Sequence, residues 1–299
     1  MSNYDNEKIL FTGLAGRSSS EIRGKQIASM DKNFFYCDQE RLTQGVLDQC
    51  DTVVFVRNFV EGIARHAKQC GKKVAFDIID RPTADIHKLY RSGHKNPEVD
   101  WESYCKLSVD YLIVNNTLTK KCLQDQPGCP TIKVIPHHTC NIEKHRNEVK
   151  EEVTTVGYVG LDDQISKTDM IKSWLNDKNI ELLIVNPKDR QSVIAAHKKI
   201  DVGLIFLEAP TKYYTSVLDF KPCTKMINFQ SFGIPVVSCQ YESFKEFGSD
   251  AYLPVSNVEE VFVHLEKLIS DKSERDRLSS LGIENSSNYS IQKIAELYK

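Results

Sequence analysis

The stretch KPCTKMINFQSFGIPVVS, residues 221–238, decides the fold class of the second half of the chain. Pro222 and Gly233 bracket a segment with helical spacing, since proline favours the first position of a helix and glycine the position just past its end. Branched apolar residues follow at once, in 234–238, and predict a buried strand. A helix that passes directly into a buried strand is typical of α/β domains built on a parallel sheet.

Strands and helices alternate around this stretch, as expected for a doubly wound domain over residues 151–287. The pattern predicts strands at Thr154–Val159, Glu181–Val185, Val202–Phe206, Pro235–Ser238 and Ala251–Val255, and helices at Lys167–Asn176, Asp189–Lys198, Pro222–Phe232 and Val258–Ile269.

The first half shows the same alternation, which predicts a second doubly wound domain over residues 1–150. The almost entirely polar segment 141–152 predicts a surface connection between the domains. A helical pattern closes the chain, and we expect residues 288–299 to return to the first domain. The first-half pattern predicts strands at Ile9–Thr12, Asn33–Tyr36, Thr52–Val56, Lys73–Ile78, Tyr111–Val114 and Thr131–Ile135, with helices at Glu21–Met30, Asn58–Gln69, Trp101–Ser108 and Leu118–Gln124.

Composition excludes several classes of protein. The chain has 299 residues, 27% of them charged and 40% hydrophobic, as a globular protein of two ordinary domains requires. The formal net charge of -2 gives no overall basic field, so nucleic acid is not expected as a partner. No apolar run approaches the roughly 20 residues that span a bilayer. The N-terminus lacks a secretory pattern and the nine cysteines form no CxxC pair, so we expect a cytoplasmic protein with reduced thiols.

The start of the helix predicted at Pro222–Phe232 carries a candidate anion site. The free N–H groups of residues 223–225, the Thr224 hydroxyl and the Lys225 ammonium can converge on one phosphate. Asn228 lies one turn further on the same face, where it can reach a sugar hydroxyl. An ordinary capped helix with a solvated lysine explains the same spacing equally well.

These residues resemble the carboxyl-terminal domain of GT-B glycosyltransferases, in particular the glycosyl transferases group 1 or family 4-like. The resemblance rests on KPCTKMINFQSFGIPVV together with TVGYVG (155–160), DVGLIF (201–206), VDYLIVNNTLTKKCL (109–123) and VIPHH (134–138), and more weakly on FTGLAGRSSSEIRG and KVAFDIIDRP. It implies two Rossmann-like doubly wound domains that face each other across a cleft, the first for the acceptor and the second for a nucleotide-sugar donor. The donor is a substrate, and no separate cofactor is implied.

One departure from the family concerns acidic residues. Many retaining members carry two Glu residues around this helix, and the corresponding positions here hold Phe220 and Asn228. The departure leaves open whether transfer retains or inverts configuration. The resemblance to relatives with a KPxTKxxN pattern still implies a diphosphate role for Lys225.

A leaving diphosphate needs cations, dipoles or a metal to stabilise its growing charge. No DxD motif stands at a predicted strand end, so we expect metal-independent chemistry. His137, His138, Cys140 and His145 do not follow a standard zinc spacing. The resemblance places His138 beside the donor instead.

Two further residues of the second domain are candidates for donor binding. Lys167 follows the first strand of that domain and can direct a second cation at the donor, although a solvated lysine at a helix start is the alternative. Asn186 lies just past the strand Glu181–Val185, where doubly wound folds contact nucleotides, and turn formation explains it equally well.

In the first domain, Asp80 and His87 are the candidate catalytic residues. Asp80 follows a strand, where a carboxylate can act as a base or orient an acceptor hydroxyl. A turn with Arg81 or a helix cap before Pro82 is the alternative for Asp80, and an exposed helical position is the alternative for His87.

Gly13, Gly16 and Arg23 are candidates for the acceptor or cleft loop. The glycines would let the backbone approach a ligand, and Arg23 could bind a phosphate or carboxylate in bidentate fashion. Ser18–Ser20 are expected to cap the helix that carries Arg23.

The sequence thus predicts a metal-independent glycosyltransferase, hexosyl or pentosyl, that acts on a glycan, lipid-linked or other hydroxyl acceptor. A nucleotide-sugar epimerase on the same fold, or a non-catalytic glycosyltransferase-like subunit, are the rivals. Contact with a membrane surface stays open, since many relatives use lipid-linked acceptors, but no basic amphipathic helix points to it.

Overall fold

The computed structural model describes residues 7–80, 99–208, 218–248 and 250–299. The chain divides into two compact units. Unit 1 consists of Met1–His137, Phe220–Pro222 and Ile291–Lys299, and unit 2 consists of His138–Asp219 and Cys223–Ser290.

Unit 1 is built on a six-stranded parallel sheet in the order β2-β1-β3-β4-β5-β6. The central strands are buried on both faces, which explains why they consist of continuous branched apolar residues. All six strands were predicted from the sequence, with bounds that differ by two residues at most. The strands are β1 Ile9–Gly13, β2 Phe34–Asp38, β3 Thr52–Val56, β4 Lys73–Asp77, β5 Tyr111–Val114 and β6 Thr131–Val134.

The helices of unit 1 alternate with these strands. The first, α1, runs through Ser18–Ser20, a π-helical turn at Glu21–Lys25, and Gln26–Ala28. Its N-cap is Arg17, with no side-chain cap, so the predicted capping by Ser18–Ser20 is wrong: those serines form the first turn. Among the residues that the structure describes before the end of β6, the other α-helices are α2 Gln44–Leu47, α3 Glu61–Gln69, α4 Trp101–Cys105 and α5 Thr117–Gln124, and Gln39–Arg41 form a short 3-10 helix.

Unit 2 contains a five-stranded parallel sheet in the order β11-β10-β9-β7-β8. A Cβ at Gly203 would lie 2.7 Å from the Phe229 ring, so glycine in β9 lets the helix that carries Phe229 pack directly on the sheet. The strands are β7 Thr155–Val159, β8 Glu181–Val185, β9 Val202–Ile205, β10 Val236–Cys239 and β11 Leu253–Val255. The α-helices in the described part of unit 2 are α6 Thr168–Asn176, α7 Arg190–His197, α8 Thr224–Ser231, α9 Val258–Ser270 and α10 Lys272–Ser286. Short 3-10 helices lie at Asp162–Gln164, Glu242–Phe247 and Ser287–Tyr289.

The last helix, α11 Ile291–Glu296, belongs to unit 1. Tyr298 behind it is 2% exposed, and its ring meets Phe11 edge-on at 5.0 Å. The Tyr298 hydroxyl donates to Asp77 Oδ2 at 3.0 Å. Burial raises the pKa of Tyr298 well above its usual value, which keeps this hydroxyl protonated as a donor.

The polar segment after β6 lies at the surface, since residues 141–152 other than Asn141 are exposed or half-buried, and several of its groups also form hydrogen bonds to unit 2. The Cys140 amide donates to Asn228 Oδ1 at 2.8 Å, and the Asn141 side chain donates to Ser231 O at 2.8 Å. The Asn147 amide donates to Phe232 O at 2.8 Å. These bonds satisfy groups along and beyond α8, so the segment fixes that helix in place.

Each sheet has one point at which the strand order reverses, and ligands of doubly wound folds bind at the carboxyl edge there. In unit 1 the point lies between β1 and β3, and in unit 2 between β7 and β9. Within the described ranges, no helix is both long enough and apolar enough to cross a membrane.

Candidate functional site

The loop after β7 lies across the reversal point of unit 2. The Ser166 amide donates to Phe206 O at 2.8 Å, just past the end of β9. The Ser166 hydroxyl accepts the Glu208 amide, also at 2.8 Å. The loop and the end of β9 are thereby held together at the carboxyl edge of the sheet.

Lys225 reaches this edge from the first turn of α8. Its ammonium lies 5.6 Å from the centre of the Tyr158 ring, and its stem passes Gly160. A Cβ at residue 160 would lie 2.6 Å from Lys225 Cε and 2.8 Å from the Tyr158 hydroxyl. The missing side chain at Gly160 therefore makes room for the lysine at the end of β7.

The start of α8 adds further positive potential. The helix begins at Thr224, two residues later than predicted, with Cys223 as its N-cap and no side-chain cap from the described residues. The N–H groups of residues 224–226 therefore have no intrahelical partner. Burial raises the pKa of the Cys223 thiol well above its usual value, so no thiolate opposes an anion there. The helix dipole, these N–H groups and the Lys225 ammonium together favour a bound phosphate.

Lys167 is the second cation of this edge. It occupies the N-cap position of α6 in a left-handed conformation, φ 55°, and its ammonium lies 3.6 Å from Glu208 Oε2. Both side chains are substantially exposed, so the pair contributes little to stability and can open to a phosphate ligand. Glu208 was missed by the sequence reasoning because nothing but its place beyond a strand marks it.

The remaining donor candidates lie in different surroundings. Asn186 is exposed just beyond β8. Asn228 is half-buried, with its Oδ1 accepting the Cys140 amide. His138 is buried, and its Nδ1 lies 2.8 Å from Thr139 O. Of these three, Asn186 is the most exposed to solvent.

The described residues contain no group of three or more His, Cys, Asp or Glu side chains placed to hold a metal ion. His137, His138, Cys140 and His145 therefore do not form such a group.

The carboxyl edge of unit 1 carries strained backbone. Arg57 follows β3 with φ 62°, and Ile79 follows β4 with φ 56°, a conformation that a β-branched side chain rarely adopts. The Arg57 amide donates to Asp77 O at 2.8 Å, and Asn115 Nδ2 donates to Ile79 O at 2.6 Å. These bonds hold the two residues in place against a cost of the order of 1–3 kcal/mol each.

Asp80 follows Ile79 at this edge. Its Oδ1 lies 3.5 Å from Arg57 Nε, and both side chains are about two-fifths exposed. The pair thus places a carboxylate and a guanidinium side by side on adjacent strand ends. Arg57 was not a candidate from the sequence, because its role depends on pairing across the sheet. His87 lies outside the described residues.

Arg23 is buried inside unit 1. Its Nε donates to Asp77 Oδ2 at 2.8 Å and its Nη1 donates to Pro136 O at 2.6 Å. Neither Arg23 nor Asp77 is exposed to solvent. This position ties the guanidinium to the fold rather than to a surface ligand.

The two glycines of the first loop differ. A Cβ at Gly13 would lie 2.5 Å from the Ser20 hydroxyl, so this glycine serves close packing of α1 on β1. Gly16 has φ 70° and open space around it. Its backbone is accessible at the end of β1.

No protein-family model and no curated protein sequence matches this chain. Comparison with solved structures does give matches. HepE from Anabaena, in complex with UDP and glucose, is similar over 97% of both chains, with a TM-score of 0.66 and 10% identity. Sucrose-phosphate synthase from Thermosynechococcus elongatus is similar over 97% of this chain and 96% of its own, with a TM-score of 0.60 and 9% identity.

The chain shares the GT-B fold with these proteins. At this level of identity the likeness concerns the fold, and it confirms the two Rossmann-like α/β domains predicted from the sequence. A TarM mutant from S. aureus, in complex with UDP, is similar over 83% of this chain and 54% of its own, with a TM-score of 0.53 and 10% identity. This chain therefore spans about half of the longer TarM chain.

Proposed function

We propose that this chain is a glycosyltransferase that moves a sugar from a nucleotide-sugar donor to a hydroxyl acceptor without a metal ion. The observation that carries the proposal is the course of Lys225, from the uncapped start of α8 past Gly160 to the carboxyl edge of β7. UDP is the nucleotide to test first, because it is bound in the similar structures of HepE and TarM.

In the proposed reaction, the bond between the anomeric carbon and the diphosphate oxygen breaks, and the diphosphate takes the bonding electrons. Its charge grows as the bond lengthens. Lys225 and the N–H groups at the start of α8 are fixed before the reaction, so their interaction strengthens in the transition state. The Lys225 ammonium and the helix start together supply the positive potential that a metal ion supplies in other sugar transferases.

The neighbouring residues have supporting roles in this proposal. The Thr224 hydroxyl donates to the diphosphate, and Lys167 exchanges Glu208 for a phosphate oxygen when the donor binds. Asn186 contacts the nucleoside from the end of β8. Asn228 acts through the fold: by binding the Cys140 amide it holds α8, and with it Lys225, in position.

We place the acceptor hydroxyl at the carboxyl edge of unit 1, beside Asp80. The carboxylate there takes the proton that an acceptor hydroxyl loses during transfer. Arg57 orients the carboxylate through the 3.5 Å ion pair, and the strain at Ile79 is typical of residues held in place for function. The exposed backbone at Gly16 is available to the same ligand.

A non-catalytic subunit is the second candidate, and one observation favours it. At the two positions that hold Glu in many retaining relatives, this chain has Phe220 and Asn228, and both residues make contacts within the fold. The Phe220 ring packs on Trp101 at 5.3 Å, and its carbonyl accepts from Asn116 Nδ2 at 3.1 Å. Asn228 accepts the Cys140 amide. A subunit that kept the fold without the chemistry would show such replacements.

The decisive experiment incubates the protein with UDP-glucose in EDTA, with and without a panel of free glycosides and alcohols, and follows all products. Release of UDP together with glucose or a new glycoside supports the transferase. Conversion to another free UDP-sugar would identify an epimerase instead. Binding of UDP-glucose without any product would favour the non-catalytic subunit, and the same panel repeated with other nucleotide sugars separates that result from a wrong donor.

A further inference from the structure

Asp77 is a buried carboxylate directly behind the carboxyl edge of unit 1. It ends β4, and its side chain is completely shielded from solvent. Two residues further on, Ile79 has φ 56°, and Asp80 then carries the exposed carboxylate that we propose as the base. The chain therefore passes from a buried charge to the proposed base within three residues.

Asp77 contacts both of the left-handed residues at this edge. Its main-chain oxygen accepts the Arg57 amide at 2.8 Å. Its carboxylate interacts with the N–H of Ile79. Arg57 and Asp80 then form the exposed ion pair, with Arg57 Nε 3.5 Å from Asp80 Oδ1. One buried residue thus contacts the backbone that leads into both members of the pair.

Side chains from two other elements fix the Asp77 carboxylate in turn. Its Oδ2 accepts from Arg23 Nε at 2.8 Å and from the Tyr298 hydroxyl at 3.0 Å. The Arg23 guanidinium carbon lies 5.6 Å from the centre of the Tyr298 ring, so the two donors also contact each other. Burial raises the pKa of Asp77, while Arg23 and the Ile79 N–H favour its charged form. Charge-assisted bonds in such a network hold the carboxylate in one orientation.

The conformation of Ile79 depends on contacts of this kind. A β-branched residue does not keep a left-handed conformation unaided, because its side chain clashes with the backbone. Asn115 Nδ2 restrains the Ile79 carbonyl at 2.6 Å, and Asp77 restrains its N–H. Relaxation of Ile79 would rotate the next peptide and move Asp80. A misplacement of about 1 Å can cost a reaction roughly 100-fold in rate.

We propose that Asp77, oriented by the Tyr298 hydroxyl, is a positioning residue that sets the backbone of Ile79 and so the place of the Asp80 carboxylate. This inference rests on the proposed function, in which Asp80 takes the acceptor proton. It adds that Tyr298, 221 positions away from Asp77 in sequence, controls the rate of transfer and not the affinity for the donor. Neither Asp77 nor Tyr298 touches the reacting atoms.

Tyr298→Phe tests this role, because it removes one hydroxyl and keeps the ring that meets Phe11. We expect kcat for transfer from UDP-glucose to an acceptor to fall roughly tenfold, since Asp80 is displaced. The affinity for UDP should stay unchanged, because Lys225 is not affected.

Tyr104→Phe is the matched control. Tyr104 is also buried in unit 1, but its ring stacks on Phe76 at 6.4 Å. Phe76 precedes Asp77 in β4, so its side chain points to the opposite face of the sheet. The control should leave transfer unchanged.

The same substitution in an Asp80→Asn background separates a positioning role from a merely structural one. If the Tyr298 hydroxyl acts through the Asp80 carboxylate, Tyr298→Phe should lower transfer by less than roughly twofold once that carboxylate is gone. An equal fall in both backgrounds, or unchanged transfer in Tyr298→Phe alone, would overturn the proposal.

Hydrogen exchange of the Ile79 amide, followed by NMR, tests the proposal without a transfer assay. We expect exchange roughly tenfold faster in Tyr298→Phe than in the wild type, since the carboxylate that contacts this N–H loses its orientation. Equal exchange rates in the two proteins would contradict the proposal. Absence of transfer by the wild type with every donor and acceptor would instead count against the proposed function, and the exchange rates would still decide whether Asp77 holds Ile79.

Discussion

The carboxyl edges of the two sheets use different chemistry on the same type of scaffold. The edge of unit 2 has a glycine, two lysines and an uncapped helix start, so positive potential collects there. The edge of unit 1 has an arginine–aspartate pair next to two strained residues. The first arrangement suits a diphosphate, and the second suits a hydroxyl that must lose a proton.

The difference teaches that the position of a site and its chemistry have separate origins. Parallel sheets place both proposed sites at carboxyl edges, whatever the sequence of the loops. The loops then decide what is bound: Gly160 opens the path for Lys225, whereas Arg57 holds the carboxylate of Asp80. Changes at one edge should therefore leave the function of the other intact, and the following variants test that separation.

The largest effect is expected for Lys225→Ala. Losing the cation that stabilises the leaving diphosphate should lower kcat for UDP release from UDP-glucose by roughly 100- to 1,000-fold. The matched control is Lys178→Ala, because Lys178 also lies over an aromatic ring, Trp174, at 4.7 Å, but before β8. Equal turnover of Lys225→Ala and wild type would show that Lys225 does not act on the diphosphate.

Asp80→Asn should affect transfer but not donor binding. The amide cannot take the acceptor proton, so transfer to an acceptor should fall on the order of 100-fold while the affinity for UDP stays unchanged. Glu102→Gln is the control for loss of a charge from an exposed ion pair in unit 1. A variant that loses UDP binding together with transfer would contradict the separation of the two edges.

Gly160→Ala should reduce donor binding roughly tenfold by displacing Lys225, since the new Cβ would lie 2.6 Å from Lys225 Cε. Titration with UDP measures the effect. Gly45→Ala is a suitable control, because a Cβ there meets no atom within 4 Å. Unchanged UDP affinity in Gly160→Ala would show that Lys225 does not need the space left by Gly160.

Arg57→Gly should have the smallest effect, and it is informative because we expect stability and transfer to change in opposite directions. Glycine adopts φ 62° without strain, so the unfolding free energy should rise by about 1 kcal/mol, less the weak contribution of a half-exposed ion pair. Transfer to an acceptor should fall, because Asp80 loses its orienting partner. Chemical denaturation measures the change in unfolding free energy, and a transfer assay measures the loss of activity. A destabilised variant with normal transfer would mean that the strain has no functional role.

The sequence predicted all eleven described strands, because buried parallel strands are continuous runs of branched apolar residues whose ends can be read locally. It also located Lys225, through the proline before the helix and the glycine after it. It could not reveal that Lys225 passes Gly160, because that contact joins residues 65 positions apart in sequence. Long-range pairing likewise determines the burial of Arg23 against Asp77.

Backbone strain could not be predicted from the sequence either. Nothing in the composition around Ile79 indicates a left-handed residue, since isoleucine there contradicts local preference and is held by Asn115 from the neighbouring strand end. The polarity of the segment after β6 predicted its surface position correctly, but it could not predict that Asn141 and Asn147 bind backbone groups of unit 2.

The most direct test of the central claim is calorimetric titration of UDP into the wild-type protein, Lys225→Ala and Asp80→Asn, all in EDTA. We predict binding by the wild type without metal, affinity at least roughly tenfold weaker in Lys225→Ala, and wild-type affinity in Asp80→Asn. Equal UDP affinity in all three proteins, or a loss confined to Asp80→Asn, would contradict the assignment of the diphosphate to the edge of unit 2.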